Sequence, residues 1–143
     1  MADKEKIYRS DLPVQDKAAF LIICTAQELL NKIGRMTKEF GISLTQLQIL
    51  HILEAMSQEK VTVNTIKAFM FDDSPNVSRS INKLVEKQLV TKQRSSEDQR
   101  VVFVSITPAG LKVHKACDHK IIGKTIDLPD KTCQALADLL MKL

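Results

Sequence analysis

Apolar residues recur at helical spacing over most of the chain and alternate at strand spacing over one stretch, which predicts helices interrupted by a single β element. From about Leu12 to Phe40 the spacing predicts one long helix. Pro13 lies near its first turn, where a missing N–H costs nothing, and Gly34 is its one weak interior point. The middle of that helix, Ala18–Cys24, is apolar on every face and has to be covered on several sides. In so short a chain the simplest second cover is another subunit, the alternative being ordinary packing within one. Near the other end, Cys133–Leu143 again repeats apolar residues at helical spacing. Two adhesive terminal helices predict a homodimerisation platform.

Between them, Ser43–Gln46 has the form of a capping box: the Ser43 hydroxyl can accept from the Gln46 amide while the Gln46 side chain reaches back. Ile42 and Leu47 can close a hydrophobic staple around it. The helix that follows is expected to bury Leu47, Leu50 and Leu53–Ala55 and to end by about Gln58. Thr62 is suited to cap a short helix, Val63–Met70. Ser74 is then a good N-cap and Pro75 fits the first helical position. Val77, Ile81, Leu84 and Val85 form one apolar stripe, with Asn76, Arg79, Asn82, Lys83 and Glu86 on the opposite face. A short helix, a turn with no obvious strand, and a second helix with a polar, basic N-terminal face predict a helix-turn-helix. Its recognition helix is Asn76–Lys87.

Directly afterwards Leu89–Arg94 alternates, Ser95–Gln99 has turn chemistry and Val101–Ile106 is strongly β-prone, so a hairpin is expected with its tip at Ser95–Arg100. Thr107-Pro108-Ala109-Gly110 opens another helix. A hairpin that follows a helix-turn-helix is a wing. The expected fold is mainly α with a small β-hairpin wing, a winged helix-turn-helix in a single domain over residues 1–143. Helices at about 12–40 and 111–143 form the platform, and the DNA-binding lobe occupies about 43–108.

Through these residues the chain resembles the MarR family of bacterial regulators, over roughly Leu12–Leu143. The resemblance rests on Leu44-Thr45-Gln46, Val77-Ser78-Arg79, the run Leu84–Val90, Asp98-Gln99-Arg100 and the run Ile106–Gly110; each is weak alone, and their order and spacing are specific. It implies a triangular homodimer whose terminal helices make the interface. Two recognition helices would enter successive major grooves of a pseudo-palindromic operator, with the wings in adjacent minor grooves. It also implies that Asp98 orients the wing while Arg100 enters the minor groove, favoured where that groove is narrow. Relatives commonly respond to phenolic or lipophilic compounds, which implies a small-molecule effector in the crevice between platform and lobe. Two features depart from the family. Gln88 stands where Gly is frequent, so a left-handed backbone there would cost roughly 1 kcal/mol. Asp72 and Asp73 favour the helix N-terminus through its dipole but repel phosphate.

Charge distribution sharpens the picture. The 143 residues carry a net +4. Residues 1–73 hold nine Lys/Arg against ten Asp/Glu, residues 74–100 six against three, and residues 101–143 six against four. The positive excess is densest over the recognition helix and wing, as a polyanionic partner requires. On the recognition helix, Arg79 can offer a bidentate fork to guanine and Asn76 or Asn82 can pair with adenine. Ser74 and Ser78 suit phosphate or mixed readout. Lys83, with Lys92 and Arg94 of the wing, would neutralise phosphates, and Ser95, Asp98 and Arg100 complete the wing contacts.

Other chemistry is sparse. Cys24, Cys117 and Cys133 are widely spaced, which fits neither a disulfide framework nor a zinc module and predicts a reducing, cytoplasmic setting. The longest apolar run, Ala18–Cys24, is seven residues, too short to span a membrane. No nucleophile–base pair, paired carboxylates or phosphate loop is visible, so no enzyme activity and no cofactor are expected. His51 reads as a packed core residue. His114, Cys117, Asp118 and His119 have metal-capable side chains at helical spacing, but no metal site is expected. Two readings compete with a DNA-binding repressor: a winged-helix protein-interaction module with little DNA binding, and a redox sensor using Cys24, whose apolar surroundings disfavour a thiolate.

Overall fold

Helix starts follow side chains that can stand in for the missing backbone acceptors. In the computed structural model, which describes residues 3–70 and 76–143, the Ser43 hydroxyl accepts from the Gln46 backbone amide at 3.2 Å and the Gln46 side-chain Oε1 accepts from the Ser43 backbone amide at 2.9 Å. Thr62 caps in the same way through the Thr65 amide, and Thr107 through the Gly110 amide. The elements in chain order are α1 (Lys4–Arg9), α2 (Val14–Lys38), α3 (Leu44–Ala55), α4 (Val63–Ala68), α5 (Val77–Glu86), β1 (Val90–Arg94), β2 (Val102–Ile106), α6 (Pro108–Ile121) and α7 (Asp130–Leu140).

Several boundaries differ from the sequence expectation. The predicted Leu12–Phe40 helix is Val14–Lys38, with Pro13 in the cap position rather than inside the first turn. It ends where Gly41 turns left-handed at φ 69°. The helix α1 was not foreseen. Asp3 caps it, and Lys4 ties it to Glu28 of α2 at 2.5 Å. The recognition helix begins at Val77, because its first intrahelical bond is accepted by the Asn76 carbonyl from the Ser80 amide. The sequence expects Ser74 as N-cap and Pro75 as first helical residue. Both, with Asp72 and Asp73, lie outside the described residues.

The core is centred on α3. Ile49, Leu50 and Leu53 are fully buried against Ile66 of α4, Val77, Ile81 and Leu84 of α5, and Val90 and Val104 of the hairpin. Because α2, α5, α6 and β2 all pack on α3, it buries Ile49 and Ile52 as well as the foreseen Leu47, Leu50 and Leu53, whereas Ala55 is exposed. The hairpin pairs antiparallel from Val90↔Ile106 to Arg94↔Val102. The turn before α4 is not free of strand pairing: Thr62 bridges Phe103, and the Val104 amide donates to the Val61 carbonyl at 2.8 Å. This third rung clamps the hairpin base to the helix-turn-helix.

The link from α5 to β1 is a Schellman turn. Leu89 N–H returns to the Leu84 carbonyl at 2.9 Å and Gln88 N–H to Val85 at 2.8 Å, with Gln88 itself left-handed at φ 59°. The terminal helices are only partly covered. No residue of α7 is buried, and Phe20, Ile22 and Ile23 of α2 and Leu136, Leu139 and Leu140 of α7 are exposed. No helix among the described residues is long and apolar enough to cross a membrane.

Candidate nucleic-acid interface

Burial of Val77, Ile81 and Leu84 fixes the rotation of α5 and turns its other face outward. On that face Asn76, Ser78, Arg79, Asn82 and Lys83 are all exposed. Ser78 and Asn82, like Arg79 and Lys83, lie four residues apart, so they form two adjacent rows along the helix. Lys92 of β1 donates through Nζ to Asn82 Oδ1 and so joins the wing to the recognition helix. Lys87, at the helix end, donates to the Gly41 carbonyl and anchors α5 to the α2–α3 turn.

The wing tip is organised by its own backbone. Ser95 Oγ accepts from the amides of Glu97 at 3.2 Å and Asp98 at 3.3 Å. Asp98 Oδ1 accepts from the Arg100 amide at 2.9 Å, and the Asp98 carbonyl accepts from Val101 at 2.9 Å. Asp98 therefore holds the main chain of Arg100 and makes no ion pair with its guanidinium. Ser95 is half-buried, while Lys92, Arg94, Asp98 and Arg100 are exposed. Among the described residues Arg79, Lys83, Arg94 and Arg100 make no ion pair, which leaves four cations available along one continuous surface of α5 and the hairpin. At the hairpin base, Lys60 Nζ lies 5.4 Å from the centre of the Phe103 ring. Sequence reading missed Lys60 and Lys87, since nothing local marks either as a clamp.

Two other features stand apart from this surface. A cleft of about 540 Å³ lies between the second half of α2 and the start of α3, lined among others by Leu30, Arg35, Lys38 and Leu44. Across the lobe, His51 of α3 is exposed rather than packed in the core, because it sits at the rim of the α3–α6 contact. It reaches His114 of α6, with His51 Nδ1 3.2 Å from His114 Nε2. Asp118 Oδ2 lies 3.5 Å from the same Nε2, and Glu54 faces the other ring nitrogen. Of the cluster named from sequence, His114 and Asp118 come together, Cys117 turns into the core and His119 is exposed. Burial, and then the nearby Asp118 charge, pushes the Cys117 thiol up to about 11. All three cysteines are free, with Cys24 and Cys133 half-buried.

A family model described as "Transcriptional regulator SarA/Rot" matches residues 31–117. The HTH-type transcriptional regulator SarZ of Staphylococcus haemolyticus is 23% identical over 107 residues, covering 75% of this chain and 71% of that protein. The organic hydroperoxide resistance transcriptional regulator of Bacillus subtilis is 26% identical over 129 residues, covering 90% of this chain and 85% of that protein. Among solved structures, a mutant MarR from E. coli complexed with operator DNA superposes with a TM-score of 0.75 at 21% identity, over 93% of this chain and 98% of that one.

Proposed function

The chain belongs to the SarA/Rot family of transcriptional regulators, and on that premise we propose that it acts as a homodimeric repressor that binds a pseudo-palindromic operator through α5 and the wing. Its fold is that of the MarR-type winged-helix regulators. The observation that carries the reading is the exposed surface on which, among the described residues, Arg79, Lys83, Arg94 and Arg100 make no ion pair while Asp98 shapes the tip that presents Arg100. Arg79 is assigned to guanine, Asn76 and Asn82 to base edges, and Ser74 and Ser78 to phosphate or mixed contacts. Lys83, Lys92 and Arg94 neutralise phosphates, Ser95 and Asp98 hold the tip, and Arg100 takes the minor groove.

The dimer is supported by the uncovered apolar side chains of α2 and α7, which a second copy would bury. Residues of about 12–40 and 111–143 thus serve assembly, and about 43–108 serve DNA. The cleft beside Leu30 and Leu44 is the place assigned to a small effector, at the junction of platform and lobe. A thiol switch has less support, since the sequence match to a hydroperoxide regulator assigns no role to Cys24. The buried, protonated Cys117 is unsuited to peroxide chemistry.

Selection of bound duplexes from a random pool, followed by anisotropy titrations at increasing salt, tests the reading. Enriched duplexes should carry two half-sites about one helical turn apart, and log affinity should fall steeply with log salt. No enrichment together with a flat salt dependence would assign the fold to protein–protein contacts instead.

A further inference from the structure

We propose that His51, His114 and Asp118 form a binding site for one divalent transition-metal ion of the zinc class, which fastens α3 to α6. His114 and Asp118 are one helical turn apart on α6, and His51 meets them from α3. One donor atom from each lies within 4.8 Å of the others. The separations to His114 Nε2 are 3.2 Å from His51 Nδ1 and 3.5 Å from Asp118 Oδ2. Zinc ligands at their usual bond lengths, arranged tetrahedrally, stand about 3.3–3.6 Å from one another. Two of the three separations already match the edges of such a polyhedron, and the third lies within 4.8 Å.

A plain hydrogen bond between two imidazoles would also bring His51 to His114. The far side of the His114 ring points beyond that. His114 is 2% exposed, and its buried Nδ1 faces Glu54 Oε2 at ion-pairing distance without the alignment of a directed hydrogen bond. A carboxylate on the second nitrogen is the outer-sphere arrangement that holds a metal-bound histidine in one tautomer. It keeps the proton on Nδ1 and turns the Nε2 lone pair towards His51 and Asp118. Glu54 and Asp118 together also supply the two negative charges that balance a dication. Asp118 is half-buried and His51 exposed, so an ion can enter from the rim.

The ligand set narrows the ion. Two imidazoles and one carboxylate suit zinc, cobalt and nickel better than calcium or magnesium, which take oxygen ligands almost alone. Three protein ligands leave a fourth position for water. Cys117 does not contribute, because it is buried in the core, and His119 lies outside the cluster. Binding would displace the proton shared between the two imidazoles. It would then tether the first helix of the winged lobe to the helix that leads out of it.

The test uses the full chain with Cys24→Ser and Cys133→Ser, which removes the more accessible thiols. Zinc is titrated against a chromophoric chelator, and cobalt is followed by visible absorption. The expected result is one ion per chain, with the d–d bands of a four-coordinate cobalt site and a thermal midpoint raised by metal. His51→Ala and Asp118→Asn each abolish the stoichiometric site while the metal-free far-UV spectrum and midpoint are retained. Glu54→Gln weakens it about 10–100-fold, and His119→Ala leaves it unchanged. Binding that survives His51→Ala and Asp118→Asn, loss with His119→Ala, or no binding by the parent chain at micromolar zinc would each overturn the proposal.

Discussion

Replacing glycine by alanine at two helical positions should have opposite effects, and the structure fixes both signs. At Gly110, third residue of α6, a Cβ would stand 2.0 Å from the Leu89 carbonyl oxygen and 3.0 Å from Ile106 Cγ1. The closest tolerated carbon–oxygen contact is about 3.3 Å, so helix and strand must separate by more than about an ångström. The obstacle is backbone, and no rotamer change relieves it. The same Leu89 oxygen accepts from the Thr107 amide at 3.1 Å, and the Thr107 hydroxyl donates to the Gln88 carbonyl at 2.8 Å. Separation therefore disrupts this junction as well. Overpacking costs about 3 kcal/mol at the upper end of its usual range, and a lost hydrogen bond adds about 1 kcal/mol. The better helix propensity of alanine returns about 1 kcal/mol. Gly110→Ala should thus destabilise by about 3 kcal/mol, lowering the thermal midpoint by roughly 10 °C in a chain of this size. At Gly34 nothing lies within 4 Å of the added methyl. Gly34→Ala should stabilise by about 0.5–1 kcal/mol through propensity alone. Urea and thermal melts at one fixed chain concentration measure both. A Gly110→Ala protein as stable as its parent would refute the argument that α6 is seated on the Leu89 carbonyl.

Three further outcomes follow from the same geometry. Arg100→Ala should leave the oligomeric state intact and weaken DNA binding by about 1–3 kcal/mol, or roughly 5- to 150-fold; unchanged affinity in an anisotropy titration rules out the wing contact. Gln88→Gly removes the side chain from a residue at φ 59° and should raise stability by about 1 kcal/mol in urea melts, whereas a loss would mean that the turn is held by the Gln88 side chain. Leu139→Asp, at a 62% exposed position of α7, should convert the proposed dimer to monomer in light scattering, and an unchanged mass would move the proposed interface elsewhere.

What could be read from the sequence was local. The Ser43/Gln46 box, the Thr62 and Thr107 caps and the alternation around Ser95–Gln99 each act within four or five residues, and each appears in the fold. The left-handed Gln88 was anticipated from the resemblance instead, because Gly is frequent at that position in the family. What was hidden is pairing between distant segments. Thr62 meets Phe103, and His51 meets His114, only after α3 has been surrounded on several sides. That surrounding also explains why Ile49 and Ile52 are buried, which a one-faced helix would not require. The helix α1 escaped notice because its six residues bury nothing and depend on Asp3 and on the Lys4–Glu28 contact. Of the DNA-facing candidates, the exposed ones were recognisable by type and helical position, but their mutual contacts were not.

On the proposed reading, the contact between Lys92 and Asn82 constrains how the recognition helix meets a base. An ammonium group only donates, so its partner is the Asn82 side-chain oxygen, and the NH₂ group together with the second lone pair of that oxygen remains for a ligand. Two-point pairing with adenine needs an asparagine to accept and donate at once. With Lys92 on one lone pair of the oxygen, Asn82 keeps both functions, but only in the orientation that this contact allows. The wing strand would thereby set the angle at which the recognition helix presents this amide. Removing Lys92 would then do more than weaken attraction to phosphate: it would free the Asn82 amide to turn.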